Sequence, residues 1–169
     1  MWILYFNFFM NIHHLKMPRK TVFFIILSIF LLTLYLVFSG AEILSKPLIN
    51  AIGMPFGTLI SWTGIIAFPF SIYFACKHIN NPKTRFSKNY QTVLKILIIL
   101  AFLWGIVGYY LADNWAFNFS SKSVFRGGVK AATYFWNYTY TIVILPILFV
   151  IVYGLHSVLK KININRKLK

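Results

Sequence analysis

The chain has 169 residues, of which 59% are hydrophobic and only 11% are charged. A soluble domain carries about 25% charged residues, so this composition excludes a chain that folds mainly in water. Seventeen Lys and Arg residues against two acidic residues give a net charge of +15. The cations lie mostly in short segments between apolar runs, which favours an anionic membrane as the partner and argues against nucleic acid.

The first apolar run predicts a membrane span over about 21–40. The aromatic residues 1–16 precede it, and two interpretations of them stay open. They form an interfacial segment among lipid headgroups, or translation begins at Met17 and they are not made. The basic flank and the small residues 39–41 also resemble a signal peptide, but the run is longer than a signal peptide's apolar region, which favours an uncleaved helix.

The longest uncharged run, 47–76, predicts the second span over about 56–76 and the central helix of the fold. Pro55 then lies at the first turn, where a missing N–H costs least, and Pro69 lies inside, where we expect a kink. Small residues recur every three or four positions along this run. On a helix they share a face that lets a second helix approach closely. These residues include Gly53, Gly57, Ser61, Gly64 and Ala67.

The third span is predicted over about 93–112 and carries a second small-residue face. Its members, at spacings of four, three and four, are Ala101, Gly105, Gly108 and Ala112. The connection from the second span is short, so the two spans are expected to form an antiparallel hairpin. The simplest arrangement packs their small-residue faces against each other.

The fourth span is predicted over about 138–159, with Pro146 near its middle. The loop before it contains an apolar stretch, 123–136, which either lies on the membrane surface as an interfacial helix or extends the fourth helix outward. The predicted fold is therefore an all-α membrane protein, a four-helix transmembrane bundle in a single domain.

The distribution of Lys and Arg predicts the orientation of this bundle. Thirteen of the 17 lie before the first span, between the second and third spans or, as Lys95, at the adjoining start of the third, and after the fourth. Loops rich in Lys and Arg stay in the cytoplasm, so we expect both termini to be cytoplasmic. The predicted location is the bacterial inner membrane, with anionic lipids on the cytoplasmic face.

This topology removes most candidates for catalysis. The two acids, Glu42 and Asp113, fall on the outer side, and the four histidines fall on the inner side. A hydrocarbon core of about 30 Å separates acids from histidines, so they form neither a catalytic triad nor a metal site. We expect no catalytic residue, no metal and no cofactor.

One outer polar cluster is predicted from Glu42, Asp113, Arg126 and Lys130. The two carboxylates either line an external vestibule for a cation or neutralise nearby basic side chains. Neutralisation is the favoured interpretation, because neither acid lies deep within a span, where an ionisable residue would indicate function.

The first functional hypothesis is a non-catalytic accessory subunit that docks on another membrane protein through its small-residue faces. A second follows from a resemblance. The plan of four short-looped spans with both termini inside is similar to that of immunity proteins to pore-forming colicins of the A and N type. The likeness covers roughly residues 50–160 and includes the basic segment 77–95, Asp113 and the residues 120–122. It implies that the helices intercept the toxin's pore-forming hairpin. A third class, a small transport-related or lipid-acting protein, would have to use the outer polar cluster.

Overall fold

The computed structural model describes residues 18–76, 82, 84–119 and 125–167, and in residues 50, 157 and 160–167 it describes the backbone alone. Four α-helices dominate these ranges: α1 Arg19–Phe38, α2 Phe56–Ala75, α3 Arg85–Ala112 and α4 Gly128–Lys167. Each of the four contains a stretch that is long and apolar enough to cross a membrane. The interfacial segment 1–16 and the alternative start at Met17 lie outside the described residues.

α3 begins eight residues before its predicted start, because a capping box, not the apolar boundary, sets its first turn. The Thr84 hydroxyl accepts a hydrogen bond from the Ser87 backbone N–H at 3.2 Å, and the Ser87 hydroxyl accepts one from the Thr84 N–H at 3.3 Å. Such a reciprocal pair satisfies two of the free N–H groups that open a helix. α3 therefore begins with about two mostly polar turns that apolar periodicity does not detect.

α4 also begins earlier than predicted and settles the alternatives for the loop before it. Residues 128–137 belong to α4 itself, so within this range the apolar stretch extends the fourth helix and does not form a separate helix. The physical reason is continuity of the buried face. Ala131 and Phe135, in the extension, are buried on the same side as Thr139 and Ile142 further along.

α1 and α2 are joined by a short folded segment that the sequence did not predict. After a turn with Gly40 at φ +62°, a 3₁₀ turn covers Glu42–Ser45. The strands β1 Pro47–Ile49 and β2 Met54–Pro55 then pair antiparallel. Strands of three and two residues are too short for an alternating apolar pattern to predict them from the sequence. The Phe56 N–H donates to the Lys46 carbonyl at 3.0 Å, which ties this segment to the start of α2.

α2 is the centre of the helix packing. It contacts α1 most extensively, then α3, and to a smaller extent α4, while α3 also packs on α4. α1 makes extensive contact with α2 and none of comparable extent with α3 or α4. The four helices thus form a three-helix core, α2–α3–α4, with α1 packed on α2 at one edge of it.

Two groups of buried side chains hold the three-helix core together. The larger surrounds Trp104 and Phe135 and reaches Phe117 and Phe125 in the segment between α3 and α4. The smaller surrounds Tyr90 and contains Ile72 and Leu94, nearer the other end of the helices. We call the two ends of the helix assembly the Asp113 end and the Lys88 end. At the Asp113 end, α1 and α3 end and α2 and α4 begin. At the Lys88 end, α1 and α3 begin and α2 ends.

Candidate functional site

Aromatic rings pack directly against the glycines of α3. A Cβ on Gly105 would lie 2.5 Å from the Trp62 ring of α2, and one on Gly108 would lie 2.5 Å from the Phe117 ring. The Trp62 indole N–H reaches across this gap and donates to the carbonyls of Ala101, at 3.2 Å, and Phe102, at 3.1 Å. The absent side chains at these glycines therefore make room for two large rings of the same chain.

The other predicted small residues of α3 also face the interior. Ala101 is fully buried and Ala112 is 4% exposed, both in the larger buried group. The second small-residue face thus faces α2 and the segment after α3.

The small residues of α2 do not all face α3. A Cβ on Gly64 would lie 2.5 Å from the Thr33 hydroxyl of α1, so this glycine allows α1 to approach α2 closely. Ala67 is buried and Ser61 is partly buried. A direct pairing of the two small-residue faces is therefore not what brings α2 and α3 together.

Two glycines at the start of the central run have different roles. Gly57, in the first turn of α2, leaves room for the Phe119 ring and the Leu44 carbonyl, each within 2.7 Å of where a Cβ would be. Gly53 lies outside the helix, at φ +62° in the turn between β1 and β2, where a side chain would be strained. The expectation that Gly53 continues the helical small-residue face is wrong.

The Asp113 end contains the one ion pair found within the described residues. The Arg126 guanidinium lies 2.5 Å from the Asp113 carboxylate, and the two side chains are 72% and 46% exposed. Asp113 ends α3 in the left-handed conformation, φ 57°, and the Arg126 N–H donates to the Leu111 carbonyl at 3.0 Å. Arg126 therefore serves the end of α3 twice, as a backbone donor to a free carbonyl and as a cation beside the helix C-terminus.

The other two members of the predicted polar cluster are not part of this pair. Glu42 lies exposed in the 3₁₀ turn after α1, and Lys130 lies exposed in the first turn of α4. Within the described ranges neither has an ion-pair partner. The structure brings Asp113 and Arg126 together and leaves Glu42 and Lys130 apart from them.

A buried hydroxyl at this end was missed from the sequence. Thr58 is fully buried and its hydroxyl donates to the Trp115 carbonyl at 2.6 Å, which anchors the segment after α3 on α2. The Trp115 ring stacks on Trp62 at 6.2 Å and on Tyr109 at 4.6 Å between centroids. A threonine in an apolar run gives little signal of such a role, because its hydroxyl usually bonds to its own helix.

The Lys88 end has a different chemistry. Arg19 donates to the last carbonyls of α2, from Nε to Phe74 at 2.9 Å and from Nη2 to Tyr73 at 3.3 Å. Cys76 follows there, and burial raises the pKa of its thiol while the nearby Arg19 charge opposes that shift. The raised pKa lowers the fraction of thiolate, the form in which a cysteine acts as a nucleophile.

Tyr90 is 3% exposed, and its hydroxyl has no hydrogen-bond partner among the described residues. Its ring contacts Tyr153 at 5.2 Å and Phe149 at 5.3 Å between centroids. The ring, and not the hydroxyl, accounts for its place in the smaller buried group.

No group of three or more His, Cys, Asp or Glu side chains in the described part of the chain is arranged to hold a metal ion. Comparison of the chain with protein-family models, curated proteins and solved structures found no match.

Proposed function

We propose that this chain is a non-catalytic multi-pass protein of a bacterial inner membrane and serves as an accessory subunit, docking through α1 on the helices of another membrane protein. The observation that carries the proposal is the position of α1. It packs extensively on α2 alone, and it lies at the edge of the three-helix core.

The exposure of α1 supports this role. Of its twenty residues, all of them described, Thr33 alone is buried. The apolar side chains opposite Thr33 are open, with Leu31 54%, Leu32 58% and Phe38 85% exposed. Helices associate in lipid by side-chain packing, and an edge helix with one neighbour has room for a second.

α1 is also held in a defined position, which a docking surface requires. Three contacts along its length fix it on α2: Arg19 on the α2 carbonyls at one end, Phe30 stacked on Phe68 at 4.9 Å in the middle, and Thr33 against Gly64 further on. The small-residue positions on α2 and α3 are filled by side chains of the chain itself. A partner therefore meets the open side of α1 and not those small-residue positions.

Site-directed photocrosslinking in native membranes tests the docking. Benzoylphenylalanine at Leu32, on the open side of α1, is expected to give one discrete adduct with a membrane protein, identified by mass spectrometry after a tagged pull-down in mild detergent. The control position is Leu148 of α4, which is similarly exposed at 49%. Recovery of the chain alone, with only lipid adducts at Leu32, would overturn the proposal, as would equal adducts from both positions.

Both termini are proposed to lie in the cytoplasm, so that the Lys88 end faces inward. The support is the excess of Lys and Arg in the segments at that end. Single cysteines at Lys88 and at Lys130, in a Cys76→Ser background, test this orientation. A membrane-impermeant maleimide added to spheroplasts is expected to label the Lys130 position at once and the Lys88 position only after permeabilisation. The reverse order of labelling would place the termini outside.

A further inference from the structure

Three cations follow one face of the first turns of α3, at the Lys88 end. Arg85, Lys88 and Lys95 are exposed and, at 100° per residue, lie within an arc of about 80°. The buried residues of the same turns, Tyr90 and Leu94, occupy the opposite face. This cationic face, defined by Arg85, Lys88 and Lys95, is thus turned away from the buried side of α3 within the part of the chain that the structure describes.

The chain has no acidic side chain that neutralises the cationic face. Its two acids, Glu42 and Asp113, lie at the other end of the helices, and Asp113 pairs with Arg126. Arg19 provides a contrast at the same end, because its guanidinium is already bonded to two carbonyls of α2. No acidic side chain of the protein is therefore available to the cationic face, which leaves it open to an external anion.

The depth of Lys95 indicates which kind of anion fits. The Trp62 indole donates to the Ala101 carbonyl at 3.2 Å, so Trp62 of α2 and Ala101 of α3 lie at the same height along the helix axes. Counted from that height along the axes, Ala75 at the end of α2 and Lys88 of α3 are both about 20 Å away. Lys95 lies about 10 Å closer to that height than Lys88, and is therefore deeper in the membrane. The Cα–Cβ bonds of a helix lean toward its N-terminus, which for Lys95 is the direction of the membrane surface.

The same face of α3 becomes apolar beyond Lys95. Ile99, Leu103 and Ile106 continue the arc toward the Asp113 end and are 54%, 41% and 39% exposed. A cationic surface that passes directly into an apolar one matches a molecule with an anionic head and a hydrocarbon tail. A soluble phosphate or an acidic peptide matches only the cationic part.

We propose that this face of α3 binds an anionic phospholipid of the adjacent leaflet, with the lipid headgroup beside the cations Arg85, Lys88 and Lys95 and an acyl chain along Ile99 and Leu103. Basic surfaces of this kind between or beside membrane helices recognise anionic headgroups. The site rests on the membrane placement proposed above but needs no partner protein, so the two proposals fail separately.

Native mass spectrometry of the detergent-purified full chain tests the site, with phosphatidylglycerol and phosphatidylcholine of identical acyl chains as the two probes. The double variant K88Q/K95Q is expected to lose phosphatidylglycerol affinity by roughly 30-fold, which corresponds to about 2 kcal/mol for two basic residues near a headgroup. The matched control K20Q/K130Q removes the same charge from exposed positions elsewhere and is expected to change affinity less than about twofold. K88R/K95R keeps the charge and is expected to retain binding.

Each alternative outcome is decisive. Equal losses in the two Gln variants would show attraction by net charge alone and overturn a defined site. Equal binding of both lipids by the unaltered chain would do the same. Displacement of the bound lipid by excess inorganic phosphate would show that the acyl chain is not part of the site. All variants are expected to fold, because the substituted side chains are exposed. Melting curves in the same detergent check this.

Discussion

The two ends of the helix assembly satisfy their polar groups in opposite ways. At the Asp113 end the chain supplies its own partners: Arg126 pairs with Asp113, and the buried Thr58 hydroxyl bonds to the Trp115 carbonyl. At the Lys88 end Arg19 is used in this way, while Lys88 and Lys95 face outward without an acid.

This difference between the ends follows from the positions of the segments that connect the helices. The segments 39–55 and 113–119 meet at the Asp113 end, where Phe119 and Leu44 approach Gly57. Phe117 of the second segment, with Phe125 after it, belongs to the larger buried group, so this end carries much of the internal packing of the described residues. Among the described residues, the smaller buried group near the Lys88 end has fewer buried members. Within those residues, the Asp113 end therefore contributes more of the internal packing.

The largest effect is expected from emptying the larger buried group. Phe135 is fully buried and its ring contacts Trp104, Phe117 and Phe125 at 5.2–5.4 Å between centroids. Phe135→Ala should lower the free energy of unfolding by about 3 kcal/mol, at the lower end of the range for such cavities, because packing rather than water transfer is lost between membrane helices. The measurement is unfolding in mixed micelles of rising SDS fraction, followed by tryptophan fluorescence.

The control for Phe135 is its neighbour Tyr134→Ala, since the Tyr134 side chain is 68% exposed. It should change the free energy of unfolding little. Equal losses from the two variants would contradict the assignment of Phe135 to the stabilising group.

The next effect comes from overfilling the contact between α2 and α3. Gly105→Ala places a methyl group 2.5 Å from the Trp62 ring, so the indole must move and weaken its hydrogen bonds to the α3 carbonyls. We expect a loss of about 2 kcal/mol. Gly154→Ala is the matched change, because no atom lies within 4 Å of its Cβ position. It should be neutral or stabilising, since Ala favours a helix over Gly. A stabilised Gly105→Ala protein would refute the close packing of Trp62.

A smaller effect compares one hydroxyl at each end. Thr58→Val leaves the buried Trp115 carbonyl without its donor, which should cost about 1–2 kcal/mol. Thr92→Val, near the Lys88 end, removes an exposed hydroxyl bonded to the Lys88 carbonyl of its own helix and should cost little. The same SDS titration measures both. If the two variants were equally stable, the segment after α3 would not depend on the Thr58 bond.

The smallest effect is expected at the ion pair. Asp113→Asn removes the exposed pair with Arg126 and should destabilise the chain by less than about 1 kcal/mol, an effect that high salt diminishes. Glu42→Gln removes the same charge from a side chain that has no ion-pair partner within the described residues, and it is the control. A loss well above 1 kcal/mol for Asp113→Asn alone would indicate that the pair is more than a surface contact.

Much of the fold follows from the sequence. Four apolar runs of sufficient length predict four helices, and the limits of α1 and α2 agree closely with the predicted spans. The limits of α3 and α4 do not, because a capping box at Thr84 and a buried face continuing through Phe135 extend these helices beyond their apolar runs.

The candidate sites depended more on tertiary structure. The sequence named Asp113 and Arg126 among four polar residues, but not that these two pair. It also identified Gly64 and Gly105 as small positions, but not that one faces Thr33 of α1 and the other the Trp62 ring.

The sequence by itself determined that the chain has four long helices and that these are apolar enough to cross a membrane. Hydropathy and charge are properties of each residue, so they can be read along the chain without knowing the fold. It also determined that Lys88 and Lys95 have no acid to pair with, since only two acids exist. Only the tertiary structure decided that α1 lies at an edge and that aromatic rings fill the glycine positions. The physical reason is that helical spacing shows which residues share a face, while the neighbour of that face is chosen by how all the side chains pack together.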